Sequence, residues 1–192
     1  MERYEALEII LEQASETDLI LSTTGMTTRE LSAIQDRPGN FYMLGSMGLL
    51  SSLGLGLAIE VPGSSVFILE GDGSALMNLG ILPLVGSEAP RNLTHIVLDN
   101  GAYESTGGQP TISSSASIAD IARTAGYPVV HAVEDRASLT HALTTSRVQD
   151  GPRMILIKIE ASHRDVPRVA MLPTEITQRF REHVQKQTNA IG

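Results

Sequence analysis

Apolar positions in this chain follow two rhythms in turn, one helical and one of short continuous runs. Ala6, Leu7, Ile10, Leu11 and Ala14 recur at three- and four-residue intervals and predict a helix over 3–14. The run DLILST (18–23) ends at Gly25 and reads as a buried strand. TTRELSAIQD (27–36) returns to helical spacing and is stopped by Pro38 and Gly39. NFYML (40–44) is a short extended piece, and SMGLLSSLGLGLAIE (46–60) a helix whose Gly and Ser content suits close packing on another backbone. SVFILE (65–70) reads as a strand of the fully buried, parallel type, and LTHIVLDN (93–100) as a strand again. Between them SALMNLGILPLVGSEA (74–89) is helical, with a bend or restart near Pro83. A helix over 117–126, a strand over 128–133, a helix over 135–149 and a strand over 153–160 follow. A last helix runs from Pro173 to about residue 187, with Ile176, Phe180 and Val184 at i, i+4 and i+8.

Strands alternating with helices predict a three-layer α/β/α fold around a mainly parallel central sheet. In such sheets ligands bind outside the carboxyl ends of the strands. The loop GAYESTGGQPTISSSAS (101–117) leaves one of those ends and is long for a compact domain, which marks it as functional or mobile.

Composition narrows the chemistry. A chain of 192 residues suits one domain. A formal net charge of −8 argues against nucleic acid or an anionic membrane as partner. An anionic ligand would need backbone N–H groups, a helix N-terminus or a bridging cation. With no cysteine, thiolate catalysis, thiolate metal sites and disulfides are excluded, in keeping with a cytoplasmic protein. The opening MERYEALEIILEQ carries acids and does not read as a secretory signal, and no apolar run reaches membrane-spanning length.

The stretch ILEGDGSALM (68–77) places Gly71-Asp72-Gly73 at a strand end, directly before a helix. Asn100 ends the next apolar strand. If the two strands are neighbours, Asp72 and Asn100 share one crevice, and with a nearby carbonyl they form a hard-oxygen set suited to Mg²⁺ with phosphate oxygens completing its shell. Gly73 lets the backbone come close to that phosphate, and the helix from Ser74 aims N–H groups at it. The competing reading is plain: Gly-Asp-Gly is also a turn, and Asp72 and Asn100 serve equally as caps. A P-loop is ruled out because no Gly-Lys-Ser/Thr follows, and the dinucleotide fingerprint lacks its third glycine.

GDGSALMNLGILPLVGSEAPRNLTHIVLDNG resembles the diphosphate-binding motif of thiamine diphosphate enzymes, with Asp99-Asn100 where that motif has Asn-Asn. The resemblance implies thiamine diphosphate as cofactor and Mg²⁺ held by Asp72, Asn100 and the main-chain carbonyl of Ala102. It implies that Gly71, Gly73 and Ser74 line the diphosphate. GSMG (45–48) looks like the segment that meets the aminopyrimidine, with Gly45 offering a carbonyl, Ser46 beside it and Met47 as an apolar wedge. NFYMLGSMG, LEGDGSALM and LDNGAYESTGGQPT together resemble the phosphonopyruvate and sulfopyruvate decarboxylases. That family's function would make this chain a single diphosphate-binding domain over 1–192, the β subunit of a 2-oxoacid decarboxylase. Sulfopyruvate, giving sulfoacetaldehyde and CO₂, is the leading substrate and phosphonopyruvate the alternative. The Glu that activates the cofactor would come from an α subunit carrying the pyrimidine-binding domain. The expected assembly is a hetero-oligomer, with a homodimer possible for the chain alone. Glu104, Ser105 and Thr106 follow the metal loop and are the substrate-side candidates, although Glu104 needs a proton or a cationic neighbour beside an anionic substrate. A structural or regulatory subunit without catalysis is the reading from another class. The histidines show no metal-ligand spacing, and His163 with Arg164 are the ones placed to meet a substrate or partner.

Overall fold

The computed structural model describes residues 1–162 and 164–191. Helix α1 (Arg3–Gln13) leads into β1 (Leu19–Ser22), α2 (Met26–Ile34) and β2 (Asn40–Tyr42). Helix α3 (Leu50–Glu60) precedes β3 (Val66–Gly71), which passes without a linker into α4 (Asp72–Met77) and then α5 (Ile81–Glu88). Strand β4 (Leu93–Asp99) follows, then a small hairpin of β5 (Ala102–Tyr103) and β6 (Gln109–Pro110) around a 3₁₀ turn at Glu104–Thr106. Helix α6 (Ile118–Thr124), β7 (Val129–Val133), α7 (Arg136–Arg147), β8 (Arg153–Lys158) and α8 (Pro173–Ile191) complete the chain.

Six strands form one sheet in the order β2-β1-β3-β4-β8-β7, with every pairing parallel. The two-residue period of a strand explains why these runs carry apolar residues on both faces. Val66 and Ile68 point into a core shared with α3, α5 and α6, while Phe67 and Leu69 point into another shared with α1, α2 and α7. Helices therefore cover both faces, as the alternating pattern predicts. From β1 the chain steps outward to β2, then returns to place β3 on the other side of β1. Such a reversal opens a crevice at the carboxyl ends of β1 and β3.

Three elements differ from the pattern reading. The helix expected over 46–60 begins only at Leu50; Gly45 to Leu49 form a loop in which Ser46 (φ 57°) and Gly48 (φ 89°) adopt left-handed backbone. The helix expected over 74–89 divides at Asn78–Gly80, not at Pro83. Pro83 lies in the first turn of α5, where a missing N–H has no helical acceptor to lose. The last helix extends to Ile191. Phe41 meets Phe180 with ring centroids 5.3 Å apart, which seats α8 against the β2 edge.

Candidate functional site

The crevice at the strand ends is lined by Thr23 and Thr24 after β1, Gly71 to Ser74 after β3, and Asn100 and Ala102 after β4. Pairing of β3 with β4 puts Gly71 beside Leu98, so Asp72 and Asn100 emerge at the same edge. Asp72 is buried, and its carboxylate accepts a hydrogen bond from the Thr111 hydroxyl, carried by the loop beyond β6. Burial pushes the Asp72 carboxyl above its ordinary range, and the nearby charge of Asp99 pushes it the same way against the Thr111 bond. No cationic side chain among the described residues pairs with it. Asn100 Oδ1 accepts the Ala102 N–H at 3.0 Å, which curls the loop tightly after β4.

Asp99 stands where the family motif has an asparagine, and its environment explains how a second acid is tolerated. Its Oδ1 accepts from the Gly101 N–H at 3.0 Å and the Ser113 hydroxyl at 2.9 Å, and its Oδ2 is paired with Lys158. Asp99 thus shapes the loop, and Lys158 balances its charge.

Behind the crevice lies a buried polar chain. Ser74 Oγ donates to Glu70 Oε2 at 2.7 Å and accepts the Gly48 N–H at 3.1 Å. Asn78 Nδ2 donates to the Gly48 carbonyl at 3.0 Å. One short helix, α4, therefore grips the loop that carries Met47. Glu70 Oε1 lies 2.6 Å from His95 Nε2, and His95 Nδ1 lies 3.3 Å from the Tyr127 hydroxyl. Burial, reinforced by the charge of Glu70, pushes the Tyr127 phenol up, so it stays protonated beside His95. His95 is fully buried and does not line the crevice.

Met47, Gly71, Asp72, Gly73, Ser74, Asn100, Ala102, Glu104 and Ser105 all line the crevice. Gly45 and Ser46 do not: they border a separate depression near Phe41 and Ile176, because the left-handed Ser46 turns the chain between them and Met47. Thr106 is exposed and spent on Tyr103 O and Gln109. Arg164 is turned away as well, paired with Glu2 and stacked on Tyr4, while His163 lies outside the described residues. Glu104 does have its cation. Arg3, buried in the first turn of α1, reaches across to it and grips the fully buried Glu30 with two bonds of 3.0 and 3.1 Å. Burial alone would lower the Arg3 pKa, but the two carboxylates outweigh it and hold it above its usual value.

Arg3, Tyr103, Thr111 and the Thr23-Thr24-Gly25 turn went unnoticed in the pattern. The turn had a signal, since it follows a buried strand as Gly71-Asp72-Gly73 does. Arg3 had none, because only tertiary structure brings it to residue 104.

The donor set fits a divalent cation clamped on a diphosphate: one uncompensated buried carboxylate, an amide oxygen and a carbonyl at a switch point. Among the described residues no three His, Cys, Asp or Glu side chains gather to hold a metal by themselves. Gly73 meets the Tyr103 ring, 2.5 Å from where a Cβ would stand, so this first turn has no room for a side chain.

Residues 23–157 match the family described as thiamine pyrophosphate enzyme, C-terminal TPP binding domain, and the chain belongs to that family. Within it the chain stands with the phosphonopyruvate and sulfopyruvate decarboxylases. It is 42% identical over 183 residues to a phosphonopyruvate decarboxylase of Streptomyces viridochromogenes, spanning 95% of this chain but 46% of that protein. It is 36% identical over 184 residues to the sulfopyruvate decarboxylase subunit beta of Methanococcus maripaludis, spanning 96% of this chain and 98% of that subunit. A solved thiamin diphosphate-dependent enzyme from Mycobacterium smegmatis shares the fold, with TM-score 0.72 at 17% identity over 84% of this chain and 32% of its own. No helix among the described residues is long and apolar enough to cross a membrane.

Proposed function

We propose that this chain is the diphosphate-binding subunit of a thiamine diphosphate- and Mg²⁺-dependent decarboxylase that converts sulfopyruvate to sulfoacetaldehyde and CO₂. The observation that carries the reading is the convergence of Asp72, Asn100 and Ala102 at the β1/β3 switch point. Relatives of which this chain spans nearly the whole length bear the sulfopyruvate name. Phosphonopyruvate is the second reading, favoured by the higher identity to the Streptomyces protein.

When bound, thiamine diphosphate supplies the nucleophilic carbon and the electron sink that a 2-oxoacid needs to lose CO₂. This chain's residues do the holding. Asp72 and Asn100 side chains with the Ala102 carbonyl would ligate Mg²⁺, and the metal's charge would keep the buried Asp72 ionised. Ser74 fixes Met47 at the wall of the same crevice. Glu104, neutralised by Arg3, and Ser105 border the space left for substrate.

The partner would bring the pyrimidine-binding domain and the activating carboxylate. Leu49, Leu53 and Met77 stand exposed around the Met47 loop and form an apolar rim for it to cover. The test is calorimetric titration of thiamine diphosphate with Mg²⁺ into the assembled pair, for wild type and Asp72→Ala. Affinity is expected to fall by about a hundredfold or more in the variant, the loss of a charged metal ligand. Equal affinity in both would overturn the site. Turnover assays on sulfopyruvate and phosphonopyruvate then decide the substrate.

A further inference from the structure

The crevice does not end at Ser105. Thr24, Gly25 and Ser105 also form one wall of a groove of about 510 Å³ whose other side carries Arg29 and Arg168. Arg29 is half-buried on the first turn of α2; Arg168, which is exposed, lies between β8 and α8 in sequence.

These two cations differ from the others nearby. Arg3 is committed to Glu30 and Glu104, Lys158 to Asp99, and Arg164 to Glu2. Among the described residues neither the Arg29 nor the Arg168 guanidinium forms an ion pair or hydrogen bond, the Arg29 backbone N–H alone donating to Gly25 O. Arg29 is half-buried and Arg168 exposed, and both line this groove in a chain whose net charge is −8. Guanidinium groups present planar forks of donors that match the oxygens of sulfonate, phosphonate and carboxylate.

We infer that this groove is the subsite for the strongly acidic group of the substrate, with Arg29 and Arg168 as its receptors. The inference rests on the decarboxylase reading and adds the residues that select its substrate class: 2-oxoacids bearing a tetrahedral oxyanion on C3. In so small a molecule the acidic group lies within two bonds of the reacting carbonyl, so its subsite must adjoin the cofactor crevice. The walls shared at Thr24, Gly25 and Ser105 meet that requirement. Because Arg3 is already committed to Glu30 and Glu104, Arg29 and Arg168 would supply the positive charge that a dianion needs here.

The test uses the full chain, alone and assembled with its partner, with sulfoacetate as probe and acetate as control. The Nε–Hε signals of Arg29 and Arg168 in ¹⁵N NMR are expected to shift together and to saturate with sulfoacetate but not with acetate. Arg29→Gln and Arg168→Gln should each weaken the probe about tenfold or more, as loss of a charge-assisted contact requires. Thiamine diphosphate affinity should be retained in both. In turnover, KM for sulfopyruvate should rise far more than kcat falls, and discrimination against pyruvate should drop about tenfold. Probe binding that leaves both arginine signals unmoved, or equal probe affinity in the Gln variants, overturns the inference. If the probe engages both arginines but the wild-type assembly decarboxylates neither acid, the decarboxylase reading fails and the anion subsite stands.

Discussion

Arg3 shows how much one residue can hold. Its guanidinium joins α1 to α2 through Glu30 and to the loop after β4 through Glu104, and it is almost wholly removed from solvent. Arg3→Met would leave Glu30 as a fully buried carboxylate with no counter-charge. The expected cost is about 3–5 kcal/mol, the range for breaking one side of a buried pair. Urea denaturation measures it, and a loss within experimental error of zero would show Glu30 to be satisfied by other groups. Asp99 is the converse case. An acid where an asparagine serves elsewhere adds charge to an acidic crevice, yet Lys158 pairs with one of its oxygens and the loop uses the other.

At the level of elements, α8 is the piece whose attachment depends on pH. His183 on this helix is held below its ordinary pKa by burial, and further by the charges of Arg37 and Lys186. The hydrogen bonds explain the preference: Gln187 Oε1 accepts from Ser64, so its amide nitrogen faces His183 Nε2 at 2.8 Å and needs a lone pair there. The neutral imidazole is thus the folded form. Its contribution is fully present above the unfolded value near about pH 6.5 and is lost as pH falls from there towards the lower folded value. His131, lowered first by burial and then by His141 and Arg123, acts in the same direction. The melting temperature should therefore decline between pH 7 and pH 5.5, and His183→Gln should flatten part of that slope; an unchanged slope would remove His183 from the account. The elements also show what a sequence can and cannot announce. Strands buried on both faces are legible from their apolar runs, and Asp72 and Asn100 are legible because they sit at the ends of such strands. The break at Asn78–Gly80 was hidden by Pro83, which looks like a helix breaker but occupies a first turn where it breaks nothing. Gly86 was equally silent: a Cβ there would stand 1.8 Å from the Ala125 carbonyl oxygen, a closeness of α5 to the turn after α6 that no local pattern encodes.

For the whole molecule, a parallel sheet with all its carboxyl ends on one edge gathers every loop of the candidate site on one side. That side also carries the apolar rim of Leu49, Leu53 and Met77 beside the Met47 loop. Leu53→Glu should weaken association with the partner chain by about tenfold or more while leaving the fold intact, since burying an unpaired carboxylate costs far more than exposing one. Analytical ultracentrifugation of the pair reads this directly, and undiminished association would move the interface elsewhere.

The grip of α4 on Gly48 has a consequence for solvent exchange. The Gly48 amide sits in a loop where Ser46 and Gly48 itself adopt left-handed backbone, yet it donates to a buried hydroxyl that is itself bonded to a buried carboxylate. Its deuterium exchange must therefore wait for α4 to open, and loop and helix should show a single protection factor. In Ser74→Ala the Gly48 amide is expected to exchange at free-loop rates. The two ends of a bound cofactor, one beside Met47 and one beside Asp72, would then be released by the same opening event.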